Sequence, residues 1–149
     1  MVDVLTDIQI FCPRHRVAEY VANPDNAHEW YVNIKSAVWL TPKPAEIGTR
    51  IAFKANFLGR QLMYTYEIVE FVPMKRLVMQ SVDGPFPMET SYTWEDFNGG
   101  HTHMTLRNRG NPTGFSKFVA PFMAAAMKRA NGIDLKRLKK VLENKNHAS

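Results

Sequence analysis

Two histidines, His101 and His103, stand two residues apart just after the turn sequence Asn98-Gly99-Gly100. On an extended strand that spacing puts both imidazoles on one face, which is how several metal sites begin. The same face of the same strand would carry Arg107 and Arg109, whose charge opposes a bound cation. The other histidines, His15, His28 and His147, fall on expected helices or in the tail, so a third ligand is hard to supply. The opposite face, with Thr102, Met104, Leu106 and Asn108, is the one a core would take. The histidines are therefore expected to face water, and no metal site is expected.

Carboxylates and tyrosines offer the next chemistry. In Tyr64-Thr65-Tyr66-Glu67, Glu67 shares a strand face with Thr65 and Val69, while Tyr64 and Tyr66 share the other with Ile68. If a concave sheet takes the tyrosines, Glu67 is a surface carboxylate. If it takes Glu67, that group is a buried acid or base with a raised pKa. Glu89 poses the same alternative against Met88, Thr90, Tyr92 and Trp94. Glu67, Glu89 and Tyr92 are thus the candidate catalytic groups. No Ser-His-Asp elbow, P-loop, dinucleotide-binding turn, HExxH or CxxC motif is present, and no cofactor is expected.

The elements that would position these groups are legible from periodicity. Val4, Thr6, Ile8 and Ile10 alternate with Asp3, Leu5, Asp7 and Gln9, which reads as a strand with one buried face. Pro13 opens a helix ending at Asn23-Pro24, and a second short helix carries Trp30. Six strands follow, over 34–41, 49–58, 61–72, 76–82, 88–97 and 101–109, separated by short turns rich in Gly and Pro. Connections this short favour an antiparallel meander. A final helical segment carries the apolar stripe Phe118, Phe122, Met123 and Met127, which continues beyond Asn131-Gly132 as Leu135, Leu138 and Leu142. Pro121 and Asn131-Gly132 predict a bend or a brief interruption in it.

A chain of 149 residues that is 45% hydrophobic and 22% charged suits one soluble globular domain over 1–149. The N-terminus lacks the basic region of a signal peptide, no apolar stretch is long enough to span a membrane, and lone Cys12 cannot form an internal disulfide. A cytoplasmic protein, monomer or homodimer, is expected. The net charge of +5 comes from the last segment, where seven Lys and Arg between Lys128 and Lys145 face only Asp134 and Glu143. Such a segment is a solvated helix face or a peripheral contact with an anionic membrane or protein surface. It follows no helix-turn-helix pattern, and no nucleic-acid partner is expected.

The residues Pro13, Val17, Asn23-Pro24 and Trp30, then "PAEIGTRI", "YTYEIVEFVPMKRLVM", "TSYTWEDFNGGHTHMTL" and "GIDLKRLKKVLEN", carry a family likeness. The chain resembles the START-like superfamily (SRPBCC), in particular its polyketide cyclase/dehydrase and lipid-transport-like branch. The resemblance implies an α+β helix-grip fold, in which a seven-stranded curved antiparallel sheet wraps the long C-terminal helix around an apolar cavity. It also implies a hydrophobic small-molecule ligand, lipid- or polyketide-like. Trp30, Phe53, Phe57, Tyr66, Met79, Met88, Tyr92, Trp94, Met104, Phe118, Phe122 and Met127 fall at inward positions or on the helix stripe. Singly each reads as core; together, with the resemblance, they read as the lining of such a cavity. A cyclase- or dehydratase-type enzyme and an interaction module using the basic helix are the alternatives to a binding protein.

Overall fold

A computed structural model describes residues 2–57, 59–111 and 119–148. The strands are β1 (Val2–Ile10), β2 (Ile34–Trp39), β3 (Arg50–Phe57), β4 (Arg60–Val72), β5 (Arg76–Asp83), β6 (Met88–Phe97) and β7 (His101–Gly110). Between β1 and β2 lie α1 (Arg14–Ala22), a single 3-10 turn (Pro24–Asn26) and α2 (Ala27–Trp30), and α3 (Val119–Ala148) closes the chain. The strands form one antiparallel sheet in the order β1-β7-β6-β5-β4-β3-β2. Strands β2 to β7 thus make the expected meander, and β1 joins its far edge beside β7. This is the helix-grip fold.

The sheet curls because its register slips. One bulge interrupts β2/β3 between Ile34 and Ser36, and two interrupt β4/β5, between Thr65 and Tyr66 and between Ile68 and Glu70. Each inserts an extra residue on one strand and increases the local twist and bend. The alternation of side chains then decides what the concave face holds. β1 turns Val2, Val4 and Ile10 inward and Asp3 and Leu5 outward, as its pattern predicts.

Of the bend or brief interruption expected in the last helix, the interruption does not occur. α3 runs uninterrupted over Val119–Ala148, through Asn131-Gly132. Pro121 is the third described residue of α3, and the helix continues beyond it. A Cβ added at Gly132 would meet nothing within 4 Å, so no close contact there requires a glycine. The helix packs against β1 on one side and α2 on the other.

The core is solid at one end. Leu135, Leu138 and Leu142 of α3 pack with Val17 and Ala18 of α1, Trp94, Met104, Leu106 and Ile10. Toward the other end, Met123 and Met127 of α3 meet Val2, Val4, Phe86 and Met88. Between that group and β3 the packing does not close.

Candidate ligand cavity and its polar end

The unclosed space is a cavity of about 180 Å³. Its walls come from β3 (Ile51, Phe53), β4 (Leu62, Tyr64, Tyr66, Ile68), β5 (Leu77, Met79), β6 (Met88, Thr90, Tyr92), α2 with the residue after it (Trp30, Tyr31), and α3 (Met127, Asn131, Asp134). Exposed Asn56 stands at the rim. Every strand residue here follows the two-residue period, so one choice of face sets the whole lining. Gly84, in the turn before Phe86, permits one close approach: a Cβ there would lie 2.6 Å from the Tyr64 ring.

Aromatic rings dominate the surface. Tyr64 lies between Tyr66 (5.7 Å between centroids) and Phe86 (6.1 Å), and Phe53 meets Tyr66 edge-on at 5.8 Å. Trp30 stacks against Tyr31 at 3.8 Å and meets Tyr92 edge-on. Such contacts hold large flat walls in place and leave the tyrosine oxygens as isolated polar tips.

Those tips gather in two groups. The Tyr31 and Tyr92 hydroxyls hydrogen-bond to each other at 2.5 Å. Thr90 donates to Asn108 Oδ1 at 2.8 Å, and its hydroxyl also meets Tyr66. Burial pushes the Tyr31, Tyr66 and Tyr92 hydroxyls well above the ordinary phenol range, and Tyr64 up to about 12. All four therefore remain protonated donors at neutral pH.

Asp134 is the one carboxylate among the described lining residues, and no Lys, Arg or His lines the cavity with it. It is buried, and burial raises its pKa from 3.8 to about 6, against the lowering effects of the Val32 N–H and Arg137. Oδ1 accepts the Val32 N–H at 3.0 Å, which ties the segment after α2 to α3. Arg137 reinforces that tie by donating to the Glu29 carbonyl at 2.8 Å, and Tyr20 donates to the Glu29 carboxylate. Oδ2 of Asp134 has no hydrogen-bond partner among the described residues. One turn earlier on the same helix face, the buried Asn131 Nδ2 also has no partner among them.

The residues singled out from the sequence separate into four groups. Trp30, Phe53, Tyr66, Met79, Met88, Tyr92 and Met127 all line the cavity. Trp94 and Met104 are buried but belong to the solid end, where α1 and the leucines of α3 cover them. Phe122 is turned to solvent, 76% exposed, because the face of α3 that meets the sheet at this level carries Met123 and Met127 instead. Phe118 lies outside the described residues, and of Phe57 only the backbone, at the end of β3, is described.

The carboxylate alternatives resolve the same way on both strands. The concave face takes the tyrosines, so Glu67 points outward and pairs with Arg50 at 2.9 Å. Glu89 also points outward, where Gln80 donates to it at 3.2 Å. Neither reaches the cavity, which corrects their candidacy as its acid or base; Tyr92 alone of the three is inside. His103 meets Asp7 at 2.8 Å on the outer face, and His101 packs on the Phe11 ring. Among the described residues no three His, Cys, Asp or Glu side chains gather as a metal site would require.

Asp134, Asn131, Tyr31 and Asn108 were missed. The first two were visible in principle, because Met127, Asn131, Asp134, Leu135, Leu138 and Leu142 fall on one helical stripe. A lone acid and a lone amide on an otherwise apolar stripe are the signal. Tyr31 gave no comparable signal, since it follows a helix of four residues.

With this geometry in hand, the chain can be set against known proteins. The family described as polyketide cyclase/dehydrase and lipid transport matches residues 1–143. A comparison of the sequence with curated proteins finds no match. Solved structures share the fold closely at low identity. A protein of Thermus thermophilus superposes with a TM-score of 0.83 at 18% identity, over 95% of this chain and 97% of that one. The Zhui aromatase/cyclase of Streptomyces sp. R1128 gives 0.81 at 12% identity, over 95% and 93%. A START superfamily protein of Mycobacterium smegmatis gives 0.80 at 10% identity, over 95% and 97%.

Proposed function

The chain belongs to the polyketide cyclase/dehydrase and lipid transport family, and on that premise we propose that it binds a hydrophobic or aromatic small molecule in the cavity between the sheet and α3. The observation that carries this reading is the contrast within one core. Leucines close one end completely, while rings and methionines enclose about 180 Å³ at the other. Folding alone favours filling such a space, since an empty apolar cavity forfeits packing contacts. A mostly apolar concavity with a few convergent polar groups is the form ligand sites take.

Filling the space from within tests the reading. Thr90→Trp projects an indole from the middle of β6 into the cavity. It should abolish binding of the molecule recovered by solvent extraction from the purified protein, with the far-UV circular dichroism and a cooperative unfolding transition retained. Unchanged affinity in a folded Thr90→Trp protein defeats the cavity as the site.

A second reading, a cyclase- or dehydratase-type enzyme, is favoured by Asp134. A carboxyl with a pKa of about 6 exists in both protonation states near neutrality, as a general acid or base requires. The Tyr31 and Tyr92 hydroxyls beside it would orient a substrate oxygen. Incubation of the extracted molecule, or a more hydroxylated analogue, with the native protein should then show loss of water by mass spectrometry. Asp134→Asn should stop that loss; equal turnover in Asp134→Asn removes Asp134 from the reaction.

A further inference from the structure

Charge inside the cavity is one-sided. Of the described lining residues, Asp134 is the only one that carries a charge at neutral pH, and it is negative. Its Oδ1 accepts the Val32 N–H, no hydrogen bond to Oδ2 is present among the described residues, and no Lys or Arg lines this cavity, while Arg129 stands with Asp134 along a neighbouring pocket. Arg137, the cation nearest in its electrostatic effect, donates to the Glu29 carbonyl outside the cavity. The neighbouring donors, Asn131 Nδ2 and the tyrosine hydroxyls, are neutral.

Three physical consequences follow. A ligand carboxylate buried here would lose its hydration, find no counter-charge, and meet Asp134 in a medium of low dielectric. A ligand hydroxyl, by contrast, could donate to the unpartnered Asp134 oxygen and accept from the unpartnered Asn131 amide one turn away. A neutral aromatic amine could make the first of those bonds, and a protonated aliphatic amine would add the advantage of charge.

Resting on the binding reading above, we infer that the cavity selects an aromatic or alicyclic ligand bearing a hydroxyl or amine at its inner end and rejects carboxylates, fatty acids included. Asp134 is the specificity-determining residue, with Asn131 as its neutral partner. The lining polarity sets this selection, and ligand size does not.

Four probes on one ring skeleton isolate the effect: naphthalene, 2-naphthol, 2-naphthylamine and 2-naphthoate, titrated at about pH 8 into the native protein and into Asp134→Asn. Binding is read calorimetrically or by quenching of tryptophan emission. In the native protein 2-naphthol and 2-naphthylamine should bind at least about tenfold more tightly than 2-naphthoate. In Asp134→Asn, which keeps the acceptor for Val32 N–H, the naphthol-to-naphthoate ratio should fall by about tenfold through recovery of naphthoate binding. Equal binding of 2-naphthoate and 2-naphthol by the native protein overturns the charge selection while leaving the cavity as a site. A ratio unchanged in Asp134→Asn takes the selection away from Asp134. If naphthalene and 2-naphthol both fail to bind, the binding reading itself falls, and the inference with it.

Discussion

The two ends of α3 face the same sheet, yet one is sealed and the other hollow. From Leu135 to Leu142 the helix presents leucines, and β6, β7 and α1 answer with Trp94, Met104, Leu106 and Val17. From Met123 to Asp134 it presents methionines, Ala130, an amide and an acid, and the tyrosines of β4 and β6 line the space it leaves open. A branched aliphatic core in preferred rotamers leaves few voids, and it gains dispersion energy from every atom it touches. Flat rings held edge to face, with hydroxyls that need polar partners, cannot collapse onto a helix in the same way. The difference shows stability and recognition assigned to separate parts of one core.

Truncating each end should give unequal losses. Leu138→Ala, at a fully buried position in the sealed end, is expected to cost about 2–5 kcal/mol by chemical denaturation. Met127→Ala, on the cavity wall, should cost about 1 kcal/mol or less beyond its own transfer energy, because the space it would leave adjoins one that is already open. Equal losses would mean that the hollow end is packed as tightly as the other.

Asp134 sharpens the contrast through pH. Its folded pKa of about 6 lies above the ordinary 3.8, so the folded chain binds this proton more tightly than the unfolded chain. The stabilisation associated with the protonated form is complete below about pH 3.8 and is lost as pH rises through about 6. The groups set around it are the Arg137 guanidinium and the Tyr31 and Tyr92 hydroxyls, and burial keeps both hydroxyls protonated through that window. Asp134→Asn should therefore be more stable than the native protein by about 1–2 kcal/mol at pH 8 and lose that advantage near pH 4. A pH-independent difference in the denaturation midpoint would contradict the assignment.

Smaller effects follow from the turn and the outer face. Gly84→Ala should push the Tyr64 ring off its position, with a loss of about 1 kcal/mol and a change in near-UV circular dichroism. Glu67→Gln and Glu89→Gln should each shift stability by no more than about 0.5 kcal/mol and leave ligand binding untouched, since exposed ion pairs contribute little. Loss of binding on either substitution would return those carboxylates to the site.

The strands and their antiparallel meander were legible in the sequence because a strand's period of two is a local property, but which face of β4 and β6 turns inward stayed open there. The outer face of His101 and His103 was read from the same period, whereas that of Glu67 and Glu89 was decided by the tertiary structure, which turns the tyrosine face inward. Helix content was legible too, although Pro121 and Asn131-Gly132 predicted a break that tertiary packing of α3 against β1 and α2 does not require.

Where the void lies was decided only by the tertiary structure. Met104, Trp94 and Tyr92 look alike in the alternation of β6 and β7, yet the first two fall under α1 and the leucines while Tyr92 faces the cavity. Phe122 and Met123 are adjacent in one apolar run, and a rotation of about 100° per residue sends one to solvent and the other to the core. Asp134 gained its role in the same way, because an acid on a helix becomes a buried, half-partnered charge only when α2 and the tyrosines of the sheet close around it. Periodicity assigns a side chain to a face, but burial and unmet hydrogen bonds depend on what a distant part of the chain brings to that face.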